Sequence, residues 1–523
     1  MPVKIALLTP PTRSHRTAEE TLALGYLGTT LRRSGYEVCI VDGWLEHLSA
    51  EEMVGRIGVG GAPAIIGFSC YRSNLEQAQE VLGIVRERYG PLPSICGGYG
   101  PTFHDELFLD AGFTVVVRGE AENSIVDLVT ALLEGGDLAL IPGLTFRNKG
   151  RIVRTERVEP VTDLDLVELP ARDTVRLAVE QRNFVHMSTS RGCNANCIFC
   201  SIVAFDRGGP RKVRWRQRSI RNIVGEIQTL NATYGVEHFK FVDDSFIEPP
   251  RDERWAEELR DELLSRNLRI KFRTQVRADR LTPELTRILR EAGWFSTSVG
   301  VENASRSALK RMGKSANQAQ NLAALDMLER NEIYVQMGMI LFDPYTTMNE
   351  LWDNFVFLKA HPWPVNKGVF TEMFAAEGTP FTRLGKKRGF LSDDTDTQNY
   401  AYRVQDEQSR RVYAMLKTWH RSHSTIYDWV IDPLTAPKVL PESGYHEAHA
   451  LCQALQALDL EFFERALRHV SEIRDASNDL DFVREAIDTS VTSYLAIEGQ
   501  IGTLYTRNDL RYEAIPNPFL GLT

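Results

Sequence analysis

The sequence has no apolar run of about 18 residues or more, the length that a membrane-spanning helix needs, which argues against one. It has no excess of positive charge. Its 61 Lys and Arg face 70 Asp and Glu, a net charge of −9, so the whole chain carries no electrostatic footprint for nucleic acid. It is also poor in cysteine, with seven in 523 residues. Cys39, Cys70, Cys96 and Cys452 are scattered, and the first three sit in or beside apolar runs, as small core residues often do. A disulfide framework is therefore not expected, and a reducing cytoplasm is. There is no short-period repeat and no low-complexity tract. The start, "MPVKIALLTPP", has one lysine and a short apolar run, and it reads as a first strand, not as a signal peptide.

What is present is ordinary soluble composition, 43% hydrophobic and 25% charged, in a chain long enough for several domains. Residues 1–145 alternate short apolar runs ("VKIALLT", "EVCIVD", "AIIGFS", "SICGG", "FTVVVRG") with amphipathic segments such as "NLEQAQEVLGIVRERYG". That alternation predicts a doubly wound α/β domain, a parallel sheet with helices on both faces. Its ligands would sit at the carboxyl ends of the strands. Residues 146–185 are more charged and read as a strand pair and then a linker. From residue 186 to 385 a second β/α series follows. Its six strand candidates, "VHMSTS", "HFKFVDD", "IKFRTQVR", "FSTSVGVE", "YVQMGMILF" and "GVFTEMFAA", predict a partial (β/α)6 barrel. Functional groups of such barrels sit at the strand carboxyl ends. Residues 386–523 turn helical and polar; Trp419, His420 and His423 read there as packing and surface residues, not ligands.

The other three cysteines fall together. "SRGCNANCIFC" places Cys193, Cys197 and Cys200 at CxxxCxxC spacing directly after a predicted strand. Thiolates suit iron–sulfur clusters and zinc. A closed zinc site needs four ligands, and no fourth Cys or His lies in the loop, although His186 is on the preceding strand. Three thiolates on a 4Fe–4S cluster leave one iron open for another ligand. Three buried core cysteines, or a zinc loop, are the alternatives that spacing leaves standing.

"RGCNANCIFC", with Phe199 before the third cysteine, resembles the signature of the radical S-adenosylmethionine (SAM) enzymes. "FVDDSF", "RAD", "GVEN", "GMILFDP" and "EGTPF" follow in the order found in that family. Upstream, "LGYLGTTLRRSGYEVCIVD", "IIGFS", "CGGYGPTF" and "VVRGEAE" resemble the Rossmann-like cobalamin-binding domain of the B12-dependent members. The resemblance implies a 4Fe–4S cluster on Cys193, Cys197 and Cys200, beside Phe199. It implies SAM held by Glu302 and by Arg277, the latter at the SAM carboxylate unless it pairs with Asp279 or Asp243. Asp243 and Asp244 stand where relatives hold the SAM amino group or the substrate, and many carry "GGE" in place of "DDS"; a helix N-cap is the other reading. Cobalamin would rest on Ser69, Tyr71, Arg72, Gly97 and Gly98. The DxHxxG motif that gives cobalt a lower-axial histidine in other B12 proteins is missing. His15 is therefore read as a loop residue, with Tyr71 and Arg72 nearer the lower cobalt face.

The implied activity is methyl transfer to an unactivated carbon of a small molecule, such as a natural-product intermediate. A rearrangement, ring contraction or cyclisation with the same cofactors, or a non-catalytic B12 sensor, are the competing functions. The run "RGGPRKVRWRQRSIRN" (207–222) carries seven basic residues and no acid. It is either a solvated face or a docking face for an anionic substrate or an acidic electron donor such as flavodoxin or ferredoxin.

Overall fold

The computed structural model describes residues 2–11, 20–206, 214–392 and 400–511. The chain divides into two compact units. Unit 1 takes Met1–Glu180, Val185–Gly192 and Ser201–Tyr234; unit 2 takes Gln181–Phe184, Cys193–Cys200 and Gly235–Thr523.

Unit 1 is built on seven strands: β1 (Lys4–Thr9), β2 (Glu37–Asp42), β3 (Ile65–Ser69), β4 (Ser94–Gly97), β5 (Val115–Val117), β6 (Leu144–Asn148) and β7 (Arg151–Arg154). Their order is β2-β1-β3-β4-β5-β6-β7, and the first five run parallel. Side chains alternate between the faces of a strand. Ile5 and Leu7 of β1 accordingly join one apolar cluster with Leu24, Leu31, Leu128 and Val129. Ala6 and Leu8 join another with Met53, Val54, Val81 and Val85. Both faces of the sheet need a cover, and the helices Leu22–Arg33 and Ile125–Glu134 on one side and Ala50–Ile57 and Leu75–Tyr89 on the other provide it. The strand order reverses between β1 and β3, which opens a crevice at their carboxyl ends. β6 and β7 form a hairpin closed by Lys149 and Gly150, both at positive φ, as a tight two-residue turn requires. The expected strand pair is thus an antiparallel extension of the first sheet. Three short strands complete unit 1: β8 (Val185–Met187), β9 (Ser190–Gly192) and β10 (Trp215–Gln217), the last two paired antiparallel.

Unit 2 holds β11 (His238–Phe241), β12 (Lys271–Val276), β13 (Trp294–Glu302) and β14 (Tyr334–Met339), parallel neighbours in the order β14-β13-β12-β11. The intervening helices start on side-chain caps: Asp252 on Trp255 N–H, Thr282 on Leu285 N–H, Asn317 on Gln320 N–H and Thr347 on Glu350 N–H. The candidate strand "GVFTEMFAA" makes no regular strand. It touches its neighbours by isolated bridges, Phe342 to Glu372 and Ala375 to Tyr400. Gly368 at its start has φ +78° and would bring a Cβ within 2.4 Å of His420 Nδ1, so the backbone passes a side chain where a ladder would run.

The tail forms three long helices, Glu407–Thr435, Glu442–Glu472 and Asp479–Arg507. Trp419, His420 and His423 are all buried, which corrects the surface reading for the histidines. His423 bonds the Trp419 carbonyl at 2.8 Å and Ser490 at 3.1 Å, and it stacks on Tyr494 at 3.8 Å. Beside it, one oxygen of buried Asp459 accepts from Trp419 Nε1, Tyr427 and Tyr494. Burial pushes the Asp459 carboxyl up to about 6, against 3.8 for a free side chain. Between those values the folded chain binds the proton and the unfolded chain releases it, so this group makes stability fall as pH rises from about 4 to about 6. Asp459→Asn should lose that dependence. Its stability relative to wild type, read by chemical denaturation, should improve by on the order of 2–3 kcal/mol across that window and stay level above it.

Candidate active site

The cysteine loop has no regular structure, so its position depends on anchors. Ile198 provides two: its N–H donates to the Met312 carbonyl at 3.0 Å, and its carbonyl accepts from Phe381 N–H at 2.9 Å. Ile198 and Phe199 pack on an apolar cluster of Ala308, Met312, Ile340, Met373, Ala375 and Phe381. Gly313, at φ +66°, lets the chain pass; a Cβ there would stand 3.1 Å from the Asn196 carbonyl. "EGTPF" therefore helps hold the loop through Phe381, a role its sequence position alone does not reveal.

Cys197 is buried, while Cys193 and Cys200 are half-buried; all three are free thiols. Burial pushes the Cys193 thiol up to about 12, and burial also raises Cys197. The thiolate form of these groups thus needs a compensating positive charge, which iron supplies. Among the described residues, no three His, Cys, Asp or Glu side chains converge on a single-ion site. A 4Fe–4S cluster takes its thiolates on separate irons, and one anchored loop can present all three.

Glu248 borders the loop. It is fully buried, accepts from Asn194 N–H at 3.3 Å and stands 3.7 Å from Cys193 Sγ. Arg277 meets its carboxylate at 2.9 Å and Arg280 approaches at 3.2 Å. Arg277 also pairs with Asp279 at 2.6 Å. Burial opposes the Arg277 charge, but Glu248 and Asp279 hold its pKa above the ordinary value.

Glu302 ends β13 at φ +67°, a strained position for a residue with a side chain. Its carboxylate pairs with the half-buried Lys314 ammonium at 2.8 Å. A Cβ on Gly300 would come within 2.3 Å of that carboxylate, and one on Gly338 within 3.7 Å. The Glu302 carboxylate and the Lys314 ammonium therefore occupy the space that a side chain at Gly300 would take. Burial lowers Lys314, yet Glu302 and Cys197 raise it above its usual range.

Asp243 and Asp244 follow β11. Asp243 is buried and stands 3.6 Å from Arg251, whose guanidinium lies over Trp255 at 4.4 Å; Asp244 is half-buried. The N-cap of the next helix is Asp252, so neither aspartate is that cap. Of the two aspartates expected as partners for Arg277, Asp279 is paired with it.

In unit 1, Ser69 pairs in register with Gly97, and the loops after β3 and β4 touch: Cys70 N–H donates to Gly97 and Gly100 N–H to Cys70. Gly98 has φ +102°, and a Cβ there would lie 2.8 Å from the Cys70 carbonyl. The close approach its glycine permits is thus between these two loops; Gly97 has ordinary clearance. Tyr71 is exposed and parallel to Tyr99 at 6.5 Å, and Tyr99 packs on Phe205 at 4.6 Å. Arg72 is half-buried beside them. Tyr71, Tyr99 and Phe205 thus form an aromatic group at the carboxyl edge of the sheet, with Phe205 tilted 34° to Tyr99. His15 lies outside the described residues.

The basic run divides. Residues 207–213 lie outside the described residues, and Arg214 is exposed. Arg216 is buried in a two-point pair with Glu120, at 2.6 and 2.9 Å. Arg191 joins Glu120 and Glu122 at 3.4 and 2.7 Å. Burial alone would raise the Glu120 carboxyl, but Arg216 and Arg191 hold it below the usual range. Arg218 is buried against Glu226 at 2.6 Å, with Arg172 on the other oxygen. Arg216 and Arg218 are therefore internal ties, and the docking reading is withdrawn for both. Arg218→Glu should cost about 3–5 kcal/mol by denaturation, because it strands buried charge. Arg214→Glu should stay within about 0.5 kcal/mol of wild type.

With this geometry in place, comparison with known proteins decides the family. Residues 187–358 match the model of the Radical SAM superfamily, and residues 13–129 that of the B12 binding domain. The chain belongs to the cobalamin-dependent radical SAM enzymes. It is 27% identical over 369 residues to an uncharacterized methyltransferase of Pyrococcus horikoshii, covering 68% of this chain and 78% of that one. It is 27% identical over 346 residues to an anaerobic magnesium-protoporphyrin IX monomethyl ester cyclase of Synechocystis, covering 63% and 67%. Among solved structures, the cobalamin-dependent SAM radical enzyme OxsB with aqua-cobalamin superimposes at a TM-score of 0.76, with 18% identity over 99% of this chain and 84% of that one. The radical SAM methyltransferase TsrM from Kitasatospora setae gives 0.63, with 17% identity over 76% and 80%. The enzyme's cofactors are accordingly a 4Fe–4S cluster, SAM and cobalamin. Sequence inspection missed Glu248 and Lys314. Glu248 lies in the loop after β11 and Lys314 in a loop between two helices, and their spacing to the cysteines carries no signal. No helix among the described residues is long and apolar enough to cross a membrane.

Proposed function

We propose that the enzyme methylates an unactivated carbon of a small molecule. The observation that carries this reading is the anchored three-cysteine loop bordered by two charge pairs, Arg277 with Glu248 and Lys314 with Glu302, in a chain that also has a B12-type sheet unit. When bound, the cluster and SAM supply a carbon radical able to remove a hydrogen atom, and methylcobalamin supplies the methyl group. Cys193, Cys197 and Cys200 hold the cluster. Glu302 and Lys314 present one negative and one positive group to the amino and carboxylate ends of SAM, and Arg277 adds a second cation. Phe199 keeps water from the loop by packing on Phe381 and its neighbours. Asp243 and Asp244 flank the same strand ends and orient substrate. Ser69, Tyr71, Arg72, Gly97 and Gly98 carry the corrin, with Tyr71 as its flat support. An acidic flavodoxin or ferredoxin supplies the electron, and the free cysteines fit a reducing cytoplasm.

A second reading, ring formation without methyl transfer, is favoured by the cyclase relatives at 25–27% identity. Anaerobic incubation of the reconstituted enzyme with SAM, reductant, cobalamin and candidate substrates separates the two by product mass. A gain of one methyl group supports the proposal, and loss of hydrogen without a gain supports the second reading.

A further inference from the structure

Gln456 lies on the helix Glu442–Glu472 and is 7% exposed. Among the described residues, neither its side-chain oxygen nor its nitrogen has a hydrogen-bond partner. Its neighbour one turn earlier, Gln453, is satisfied by the Pro362 carbonyl at 3.3 Å, so the environment can pair a glutamine and leaves this one open. A buried amide without partners is costly, and native chains keep such groups where something else completes them.

The Gln456 side chain lines a cavity of about 340 Å³. Its walls are Phe355, Leu358, Pro362, Ala457 and Leu460, between the helices Met348–Ala360 and Glu442–Glu472, with Lys359, Gln453, Glu461 and Glu464 also lining it. At its edge, Lys359 bridges the helices to Glu464 at 3.3 Å and lies over the Phe355 ring at 5.3 Å. Apolar walls with a few placed polar groups are the composition of small-molecule sites, and the volume is at the lower end of their range. None of the lining residues belongs to the cysteine loop or to the groups around Arg277 and Glu302.

We propose that this cavity is a second binding site, for a small, largely apolar molecule with a primary amide or lactam edge. One carboxamide offers a donor and an acceptor side by side, and a ligand amide presents the complementary pair. A purely apolar ligand would leave Gln456 unpaired.

The test uses the full-length reconstituted enzyme and two probes followed by ligand-observed NMR. Benzamide has a donor and an acceptor; acetophenone has nearly the same shape and only an acceptor. Benzamide should bind saturably, and about tenfold more weakly to Gln456→Leu. Acetophenone should lose less. Ala457→Phe, which fills the cavity and leaves the amide, should abolish binding of both. Gln456→Leu should also be at least as thermally stable as wild type, since it removes an unpaired buried amide. No saturable benzamide binding up to about 10 mM, equal affinity in Gln456→Leu, or clear destabilisation of that variant would each overturn the proposal.

Discussion

Replacing Cys193, Cys197 or Cys200 with Ala should reduce SAM cleavage to background and remove the absorption of the reconstituted cluster near roughly 400 nm. The reason is chemical: two thiolates rarely hold a 4Fe–4S cluster, and without it nothing in the chain delivers an electron to SAM. Cys452→Ala and Cys39→Ala are the controls. Cys452 is buried in the tail, where its thiol donates to the Val430 carbonyl. Its loss should cost packing and leave cleavage intact. Cys39 lies in β2, within unit 1. Equal loss of activity from all five variants would mean that the loop has no separate role. Because burial pushes the Cys193 thiol up to about 12, Cys193 in the apo chain should also react with thiol reagents far more slowly than an exposed cysteine.

Glu248→Ala should have the largest effect on stability around the site, a loss of about 3–5 kcal/mol by denaturation. One buried carboxylate here serves Arg277, Arg280 and the Asn194 N–H. Removing it takes from Arg277 one of its two carboxylate partners, leaving Asp279, and frees a loop amide. Iron bound per chain after reconstitution should fall with it, since Asn194 adjoins Cys193. Glu248→Gln keeps the shape and one acceptor, so it should fall between Ala and wild type in both readouts. Wild-type stability and iron content in Glu248→Ala would show that the network is not a support for the loop.

Much of this arrangement is legible in the residues, and the illegible parts share a cause. Short continuous apolar runs mark β1 to β5, because side chains on both faces of the sheet are covered. The cysteine loop is legible because its chemistry is local. Partners distant in sequence are not. Nothing in "RKVRWRQRS" tells Arg216 and Arg218, which point to Glu120 and Glu226, from exposed Arg214; a pair at such separation leaves no periodic trace. Glu248 and Lys314 escaped notice for the same reason. "GVFTEMFAA" has the composition of a strand, but Gly368 passes beside His420 and the ladder never forms. His420 and His423 looked like surface groups in a polar segment, and they are buried between long helices whose apolar stripes only packing reveals.

The most direct test of the account is one anaerobic incubation of the reconstituted full-length chain with cobalamin, a reductant and SAM labelled with deuterium in its methyl group. Mass spectrometry would follow 5′-deoxyadenosine and the label together, across a panel of candidate substrates. The account predicts 5′-deoxyadenosine that depends on Cys193, Cys197 and Cys200, and a substrate carrying one labelled methyl group on carbon only when cobalamin is bound. A chain that holds cluster and cobalamin yet forms no 5′-deoxyadenosine with any substrate, or labels its product equally without cobalamin, would contradict it.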